Sequence, residues 1–246
     1  MNTALIVAAG TGSRMGTDTP KQFLELDGMP ILGHTLRVFQ DSALIDSIVV
    51  VTAPDEIAYV REEIVRKYGF TKVTDIVAGG AERYESVYQG LLCCDETDYV
   101  LIQDAVRPFV TEEILQRGWE AVQNYGSAIC GMPSKDTVKI TDPWGMVQET
   151  PSRDRVWIVQ TPQIFLYSVI RKAYERILNP ESGGPGPACM GKTITDDAMI
   201  VESTGAEVYM FEGDYRNIKI TTPEDLVIAR ALLCKQPLSL CCIICC

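Results

Sequence analysis

The sequence predicts an α/β fold built on a doubly wound, mostly parallel sheet. Three observations support this class: continuous apolar runs of strand length, amphipathic helical patterns between them, and a glycine-rich turn directly after the first run. Continuous rather than alternating apolar runs are typical of strands that are buried on both faces, as in parallel sheets. Strands that alternate with helices form βαβ units, which give this architecture.

The predicted elements follow in chain order. Strands are predicted over 3–9, 47–51, 74–78, 99–103 and 128–132. Helices are predicted over 55–68 and 111–125, where apolar residues recur with the helical period. A last helix begins at Thr222-Pro223-Glu224-Asp225, because this segment combines a capping box with proline at the first helical position.

Residues 134–152 interrupt this alternation. Two strand-like stretches, 137–140 and 146–149, flank the turn-forming segment Thr141-Asp142-Pro143-Trp144-Gly145. We therefore expect a hairpin, the β-arm, that projects from the α/β body. Because an isolated hairpin is only marginally stable, we expect the β-arm to pack on another surface, such as a second subunit.

The composition and charge of the chain disfavour some classes of function. The 246 residues include 22 basic and 33 acidic side chains, a net charge of −11, which disfavours nucleic-acid binding through phosphate contacts. Without an apolar run of membrane-spanning length or a signal-peptide pattern, we expect a cytoplasmic protein without a membrane partner. We expect a single domain over 1–235 and a poorly ordered, cysteine-rich tail over 236–246.

The segment Gly10-Thr11-Gly12-Ser13-Arg14-Met15-Gly16 follows the first predicted strand. Glycines in such a turn let backbone N–H groups approach phosphate oxygens closely. The segment matches neither the dinucleotide-binding fingerprint nor the P-loop. Arg14 and Lys21 place two cations beside it, which can neutralise the charge that develops in phosphoryl or nucleotidyl transfer.

Asp104 ends the fourth predicted strand, at the edge of the sheet where open α/β proteins bind ligands. A carboxylate at this position can hold Mg²⁺ bridged to triphosphate oxygens. Gly79 and Gly80 allow close backbone approach after the third strand, and Ser86 lies in the first turn of the following helix, where its hydroxyl can contact a base edge.

A set of motifs completes the pattern. In order they are Ala8-Ala9-Gly10-x-Gly12-x-Arg14-Met15, Pro20-Lys21-Gln22, Asp104-Ala105-Val106-Arg107-Pro108, Asp136-Thr137-Val138-Lys139, Gln160-Thr161-Pro162-Gln163, Thr195-Asp196-Asp197 and Asn217-Ile218-Lys219. Over about residues 3–233 the chain resembles the 2-C-methyl-D-erythritol 4-phosphate cytidylyltransferases of the non-mevalonate isoprenoid pathway. The resemblance implies a Rossmann-like nucleotidyltransferase fold and a homodimer in which the β-arm reaches the partner.

The resemblance also implies the reaction and its participants. CMP would pass from CTP to 2-C-methyl-D-erythritol 4-phosphate with release of pyrophosphate, assisted by Mg²⁺ or another divalent cation. The implied catalytic residues are Arg14, Lys21, Arg153 and Lys219. The implied nucleotide-binding residues are Ala8, Ala9, Gly10, Thr11, Gly12, Gly80, Ser86, Asp104 and Ala105, with Asp104 as the metal ligand. The implied polyol-phosphate-binding residues are Arg107, Thr137, Arg153, Thr161, Thr195 and Lys219, with Arg153 and Thr161 serving the neighbouring subunit.

Two positions depart from the family pattern. Ala81 stands where many members carry aspartate, and Val106 where a small residue is frequent. Ribitol 5-phosphate and ribulose 5-phosphate cytidylyltransferases therefore remain alternatives. Two alternatives from other classes are a non-catalytic nucleotide-binding regulator and a nicotinamide-dependent oxidoreductase. An oxidoreductase would need an acidic residue at the end of the second strand, where this chain has Val51-Thr52.

Overall fold

The computed structural model describes residues 1–10, 15, 19–94, 96–178 and 193–234. Seven strands form one mostly parallel sheet with helices on both faces, which confirms the predicted α/β class. The prediction of a poorly ordered tail over 236–246 lies outside the described residues. Within the described segments, no helix combines the length and the apolar character needed to cross a membrane.

The described residues form eleven β-strands and seven α-helices, numbered in chain order. The strands are β1 (Asn2–Val7), β2 (Glu25–Leu26), β3 (Met29–Pro30), β4 (Ser47–Thr52), β5 (Val73–Ala78), β6 (Tyr99–Asp104), β7 (Ser127–Pro133), β8 (Ile140–Thr141), β9 (Val147–Glu149), β10 (Trp157–Leu166) and β11 (Tyr209–Glu212). The helices are α1 (Ile31–Asp41), α2 (Ile57–Tyr59), α3 (Arg83–Leu91), α4 (Glu112–Tyr125), α5 (Tyr167–Leu178), α6 (Asp197–Glu202) and α7 (Pro223–Leu233). The predicted strands correspond to β1, β4, β5, β6 and β7.

The order of strands in the main sheet is β11-β7-β10-β6-β1-β4-β5. All neighbours are parallel except β10, which runs antiparallel to both β6 and β7. From β1 the chain moves outward through β4 and β5, and then returns to place β6 on the other side of β1. Ligands in open α/β sheets bind at such a reversal, outside the carboxyl ends of the strands.

Each face of the sheet has its own core. Ala4 and Ile6 of β1 belong to the cluster that includes α1 and α4, whereas Leu5 belongs to the cluster that includes α3 and α5. Alternate residues of a strand point to opposite faces, so a strand covered on both faces is apolar throughout. This two-sided burial explains the continuous apolar runs, and all residues of β4 are buried.

The predicted helices form with local differences. The segment predicted as one helix over 55–68 contains a 3₁₀ turn at Pro54–Glu56, then α2, then a π-helical stretch at Val60–Arg66. The predicted capping box of α7 is present, because the Asp225 carboxylate accepts the backbone N–H of Thr222 at 2.8 Å. This box fixes the chain directly after Lys219, at the start of α7.

The β-arm forms a short two-stranded hairpin from β8 and β9. Its first strand begins at Ile140 rather than at the predicted residue 137, and the turn closes with the Gly145 N–H donating to the Asp142 carbonyl at 3.0 Å. Two large apolar side chains stand in solvent near the tip, Trp144 at 85% and Met146 at 69% exposure. The β-arm therefore carries an apolar surface that the described part of its own chain leaves uncovered.

Gly90 lies in α3 where the helix crosses the sheet, and we predict that Gly90→Ala destabilises the fold. A Cβ at this position would lie 2.2 Å from Leu5 Cδ1 and 2.8 Å from Val51 Cγ2, both fully buried. Overpacking of this kind costs about 1–3 kcal/mol, whereas the gain in helix propensity is about 1 kcal/mol. Urea denaturation measures the free energy of unfolding.

Gly33→Ala in α1 is the matched control for this prediction. A Cβ there would lie 2.8 Å from Cγ and 3.1 Å from Sδ of Met29, a flexible and only partly buried side chain that can rotate away. We expect this variant to be neutral or stabilised, because alanine favours the helix. Equal stability losses for the two variants would contradict the assignment of Gly90 to a close contact between helix and sheet.

Candidate active site

A cleft opens at the carboxyl ends of β1 and β6, where the strand order reverses. The residue after each strand still forms a sheet-like hydrogen bond to the neighbouring strand. The Ala8 N–H donates to the Val51 carbonyl at 2.7 Å, and the Ala105 N–H donates to the Val7 carbonyl at 3.0 Å. The predicted site residues that line the cleft are Ala8, Ala9, Gly10, Lys21, Gly80, Ser86, Asp104, Ala105 and Lys219. The predictions for Thr11, Gly12 and Arg14 lie outside the described residues.

The turn before α3 forms one wall of the cleft. A Cβ on Gly79 would lie 2.6 Å from the Ala9 Cβ, so only glycine lets this turn approach the end of β1. The Ser86 hydroxyl accepts the Gly80 N–H at 3.1 Å and lies 3.1 Å from the Glu82 carbonyl, to which it can donate. Ser86 therefore organises the turn, a role that its position in the sequence did not reveal.

Lys21 reaches the cleft from the short 3₁₀ turn Lys21–Phe23. The next residue, Gln22, is 2% exposed, and its Nε2 donates to the Ala8 carbonyl at 2.8 Å. Phe23 packs into the core beneath the turn. These two side chains fix the turn against the end of β1, and so they place the lysine in the cleft with Ala9 and Gly10.

Asp104 is the electrostatic centre of the site. Its carboxylate is 2.8 Å from Lys219 Nζ, 3.4 Å from Arg83 Nε and 3.7 Å from Arg107 Nε. Burial disfavours the charged carboxylate, but the positive charges of Arg83, Lys219 and Arg107 outweigh this effect and hold the Asp104 pKa well below its usual range. One ionised carboxylate thus faces three cations, and the local charge favours anionic ligands.

Arg83 was missed as a site residue by sequence reasoning, although it lies within the glycine segment noted before α3. Its guanidinium forms a two-pronged pair with Asp197, Nη1 to Oδ1 and Nη2 to Oδ2, each at 2.9 Å. Burial opposes its charge, but Asp197 and Asp104 outweigh burial and raise the Arg83 pKa. Asp197 belongs to the motif Thr195-Asp196-Asp197, of which only Thr195 was predicted to act.

A second pocket adjoins the cleft and shares Arg83, Asp104 and Lys219 with it. Its further lining includes the predicted residues Arg107, Thr161 and Thr195. Thr161 belongs to an irregular stretch of β10 where pairing with β7 shifts register, and its Oγ1 accepts the Asp104 N–H at 3.1 Å. Thr161 was expected to serve the neighbouring subunit, but the structure places it in the pocket of its own chain, beside Asp104, because β10 lies next to the strand that ends in Asp104.

Arg107 is held mainly by backbone carbonyls. Its Nη1 donates to the Asn217 carbonyl at 2.8 Å and its Nη2 to the Val159 carbonyl at 3.4 Å. Burial lowers the pKa of its guanidinium, although nearby Asp104 counteracts this. Because the Asn217 carbonyl belongs to the segment before α7, Arg107 also positions the backbone that carries Lys219.

Arg153 and Thr137 lie apart from this group. Arg153 is exposed at the base of the β-arm, where its Nη1 donates to the Lys135 carbonyl at 3.3 Å. Thr137 is also exposed, and neither residue lines the two pockets that contain Asp104 in the described part of the chain. Within one chain the structure thus brings together Lys21, Asp104 and Lys219, but not Arg153.

A divalent cation fits this site only together with substrate oxygens. Asp104 is ionised, and among the described residues there is no cluster of three or more acidic, histidine or cysteine ligands. Mg²⁺ in phosphoryl-transfer sites is typically held by one or two carboxylates plus phosphate oxygens, with water completing the shell. Asp104 would supply the protein ligand, and its contact with Lys219 would have to open.

Comparisons with known proteins agree with this geometry. The family model described as 2-C-methyl-D-erythritol 4-phosphate cytidylyltransferase matches residues 2–235. A protein of that name from Geobacter metallireducens is 50% identical over 234 residues, covering 94% of this chain and 96% of its own. Another from Geotalea uraniireducens is 47% identical, with the same coverage of 94% and 96%. The crystal structure of a 4-diphosphocytidyl-2C-methyl-D-erythritol synthase from Anaerococcus prevotii has a TM-score of 0.80 and 34% identity, covering 94% of this chain and 95% of its own.

Proposed function

The chain belongs to the 2-C-methyl-D-erythritol 4-phosphate cytidylyltransferase family, and on this premise we propose how its cleft performs the reaction. It transfers CMP from CTP to 2-C-methyl-D-erythritol 4-phosphate, forms 4-diphosphocytidyl-2-C-methyl-D-erythritol and releases pyrophosphate. The observation that carries the proposal is the pair of pockets that meet at Asp104 and Lys219. Two anionic substrates can thereby be held on either side of one group of cations.

CTP occupies the cleft between the ends of β1 and β6. The backbone of Ala8, Ala9 and Gly10, continued by Thr11 and Gly12, accommodates the triphosphate, and Gly80 with Ser86 accommodates the cytosine. Support comes from the Gly79–Gly80 turn, which has no side chain at these two positions and approaches Ala9 closely. Exposed backbone N–H groups at such turns are effective phosphate ligands.

The polyol phosphate occupies the adjoining pocket, where Arg107, Thr161, Thr195 and Lys219 surround it. One of its phosphate oxygens attacks the α-phosphorus of CTP in line, the bond from that phosphorus to the pyrophosphate oxygen breaks, and pyrophosphate leaves. The attacking oxygen is already ionised at neutral pH, so no protein nucleophile or base is required. Catalysis rests on positioning and charge neutralisation, mainly by Lys21 and Arg14.

We propose Mg²⁺ or another divalent cation as the cofactor, with Asp104 as its protein ligand. When bound, the cation would supply positive charge that stabilises the negative charge accumulating as pyrophosphate leaves. Asp104 is suited to this role because its surrounding cations keep it ionised. Lys219, which now contacts Asp104 at 2.8 Å, would turn to the substrate phosphate in the adjoining pocket.

The active form is proposed to be a homodimer, with Arg153 and Thr137 acting in the partner's site. Support comes from the β-arm, because Trp144 and Met146 are large apolar side chains that lie exposed together. Exposed apolar patches of this kind are typical of surfaces that another protein covers. Ile158, in the strand that follows the β-arm, is also 55% exposed. We place the enzyme in the cytoplasm, because the spacing of its nine cysteines is not that of a disulfide framework.

Pyrophosphate release from CTP tests the function directly. We expect turnover with 2-C-methyl-D-erythritol 4-phosphate and a kcat/KM for ribitol 5-phosphate lower by on the order of 10²-fold or more, because a pocket built for one polyol's hydroxyl groups leaves polar groups unpaired with another. A coupled phosphate assay with inorganic pyrophosphatase measures both rates. Equal or faster turnover of ribitol 5-phosphate would assign the chain to the alternative substrate.

Lys21→Ala tests transition-state stabilisation. We expect kcat to fall on the order of 10²–10³-fold, which is the typical loss when one charge-stabilising contact is removed. Lys67→Ala is the matched control, because this lysine is exposed and, among the described residues, contacts Glu63 and the Tyr68 ring on the protein surface. A kcat within a factor of about two of wild type for Lys21→Ala would refute its role.

Subunit mixing tests the composite site. Lys219→Ala damages the site of its own chain, whereas Arg153→Ala damages the partner's site. Mixing the two inactive variants should restore about a quarter of wild-type activity, because half of the dimers are then mixed and each holds one intact site. If Arg153 served its own chain, every site would keep one lesion and the mixture would stay inactive.

A further inference from the structure

Three side chains that lie outside the reacting groups form a chain of contacts that ends at Asp104. Tyr174 of α5 donates its hydroxyl to Asp197 Oδ1 at 2.6 Å. Asp197 holds both terminal nitrogens of Arg83 at 2.9 Å, and Arg83 Nε faces Asp104 Oδ1 at 3.4 Å. The contacts connect the core behind the sheet to the carboxylate in the cleft.

Asp197 itself is rigidly held. It is fully buried, and the backbone N–H groups of Asp197 and Ala198 both donate to Gln163 Oε1 at 3.1 Å. Gln163 belongs to β10, next to the strand that ends in Asp104. Because Asp197 is completely covered, its carboxylate cannot touch a substrate. Its carboxylate is connected to the cleft by Arg83, which lines both pockets that contain Asp104.

The two-pronged contact fixes the plane of the Arg83 guanidinium. A guanidinium whose two terminal nitrogens hold one carboxylate has a fixed plane, and the edge that carries its Nε–H is among the donors left for a second group. This edge faces Asp104. Without Asp197, the Arg83 terminal nitrogens would be free to turn onto Asp104 and take the carboxylate oxygens that a metal ion requires.

We propose that Asp197 is a positioning residue that, through Arg83, keeps the Asp104 carboxylate available and oriented for the divalent cation. The inference rests on the proposed role of Asp104 as the metal ligand. Asp197 restrains Arg83 on one side, and Tyr174 and Gln163 restrain Asp197 on the other. The Thr195-Asp196-Asp197 motif then serves the site twice, with Thr195 in the substrate pocket and Asp197 behind the metal ligand.

The test is the affinity of the enzyme for Mn²⁺–CTP, measured without turnover by water-proton relaxation in the absence of the polyol phosphate. For Asp197→Asn we expect this affinity to fall on the order of 10–100-fold, which is the usual loss when a group that orients a metal ligand is altered. The affinity for metal-free CTP, measured by calorimetry in EDTA, should stay within a factor of about three, because nucleotide contacts are unchanged. A general disturbance of the site would weaken both.

Tyr174→Phe and Glu175→Gln complete the series. Tyr174→Phe removes only the hydroxyl contact, so it should weaken Mn²⁺–CTP binding in the same direction but by less than Asp197→Asn. Glu175→Gln is the matched control, since it neutralises the carboxylate of a surface pair with Arg171 on the same helix as Tyr174. It should bind Mn²⁺–CTP as wild type does. If Asp197→Asn does not fold, Tyr174→Phe decides, and unchanged Mn²⁺–CTP affinity in it would overturn the proposal.

A double variant tests the route through Arg83. Asp197→Asn should add nothing to the loss caused by Arg83→Gln, because both changes break the same connection. Additive losses, or wild-type Mn²⁺–CTP affinity in a folded Asp197→Asn, would overturn the inference while leaving the proposed function intact. Asp104→Asn separates the two claims: wild-type Mn²⁺–CTP affinity in that variant would refute the metal role of Asp104 and the positioning role with it.

Discussion

The site depends on one buried, ionised carboxylate. Asp104 is 7% exposed at the end of β6, and a buried charge is tolerated only when it is paired and hydrogen-bonded. Its partners come from three separate segments, Arg83 from the start of α3, Arg107 from the turn after β6 and Lys219 from the segment before α7. The carboxylate therefore brings together the segments that form both pockets.

This arrangement reconciles the charge of the chain with its substrates. The net charge of −11 is unfavourable for an extended polyanion such as DNA. The two pockets differ from the chain as a whole, because the cations that line them, Lys21, Arg83, Arg107 and Lys219, outnumber the acidic residues Glu82, Asp104 and Asp196. The cations can therefore face small anions that enter the cleft, although the chain as a whole is acidic.

The fold class and the centre of the site could be predicted from the sequence because both leave local signals. Two-sided burial makes the parallel strands continuously apolar, and a carboxylate that ends such a strand stands out. β10 was not predicted because its irregular stretch contains the polar residues Gln160, Thr161 and Gln163, which have no apolar pattern. Their partners are distant in sequence: Gln160 contacts Asn217, and Gln163 caps α6.

The pairing of Arg83 with Asp197 could not be predicted from the sequence either, because these partners are also distant along the chain. The two residues are 114 positions apart, and no periodicity or motif connects them. Arg153 presents the opposite case, because its motif position was evident from the sequence but a single chain places it outside the cleft. A residue whose proposed target is another subunit has no partner for its role within its own chain.

Tyr174 shows how packing and site chemistry are joined in this molecule. Its ring is fully buried in the core behind the sheet and stacks on Tyr88 of α3 at 6.2 Å, so α5 and α3 are held together there. Its hydroxyl contacts Asp197, which in turn holds Arg83 at the start of the same α3. The apolar contact and the charged contact thus restrain α3 at different points along its length. The position of Arg83 therefore depends both on the packing of α3 and on its pair with Asp197, so apolar packing and charge together determine the surroundings of Asp104.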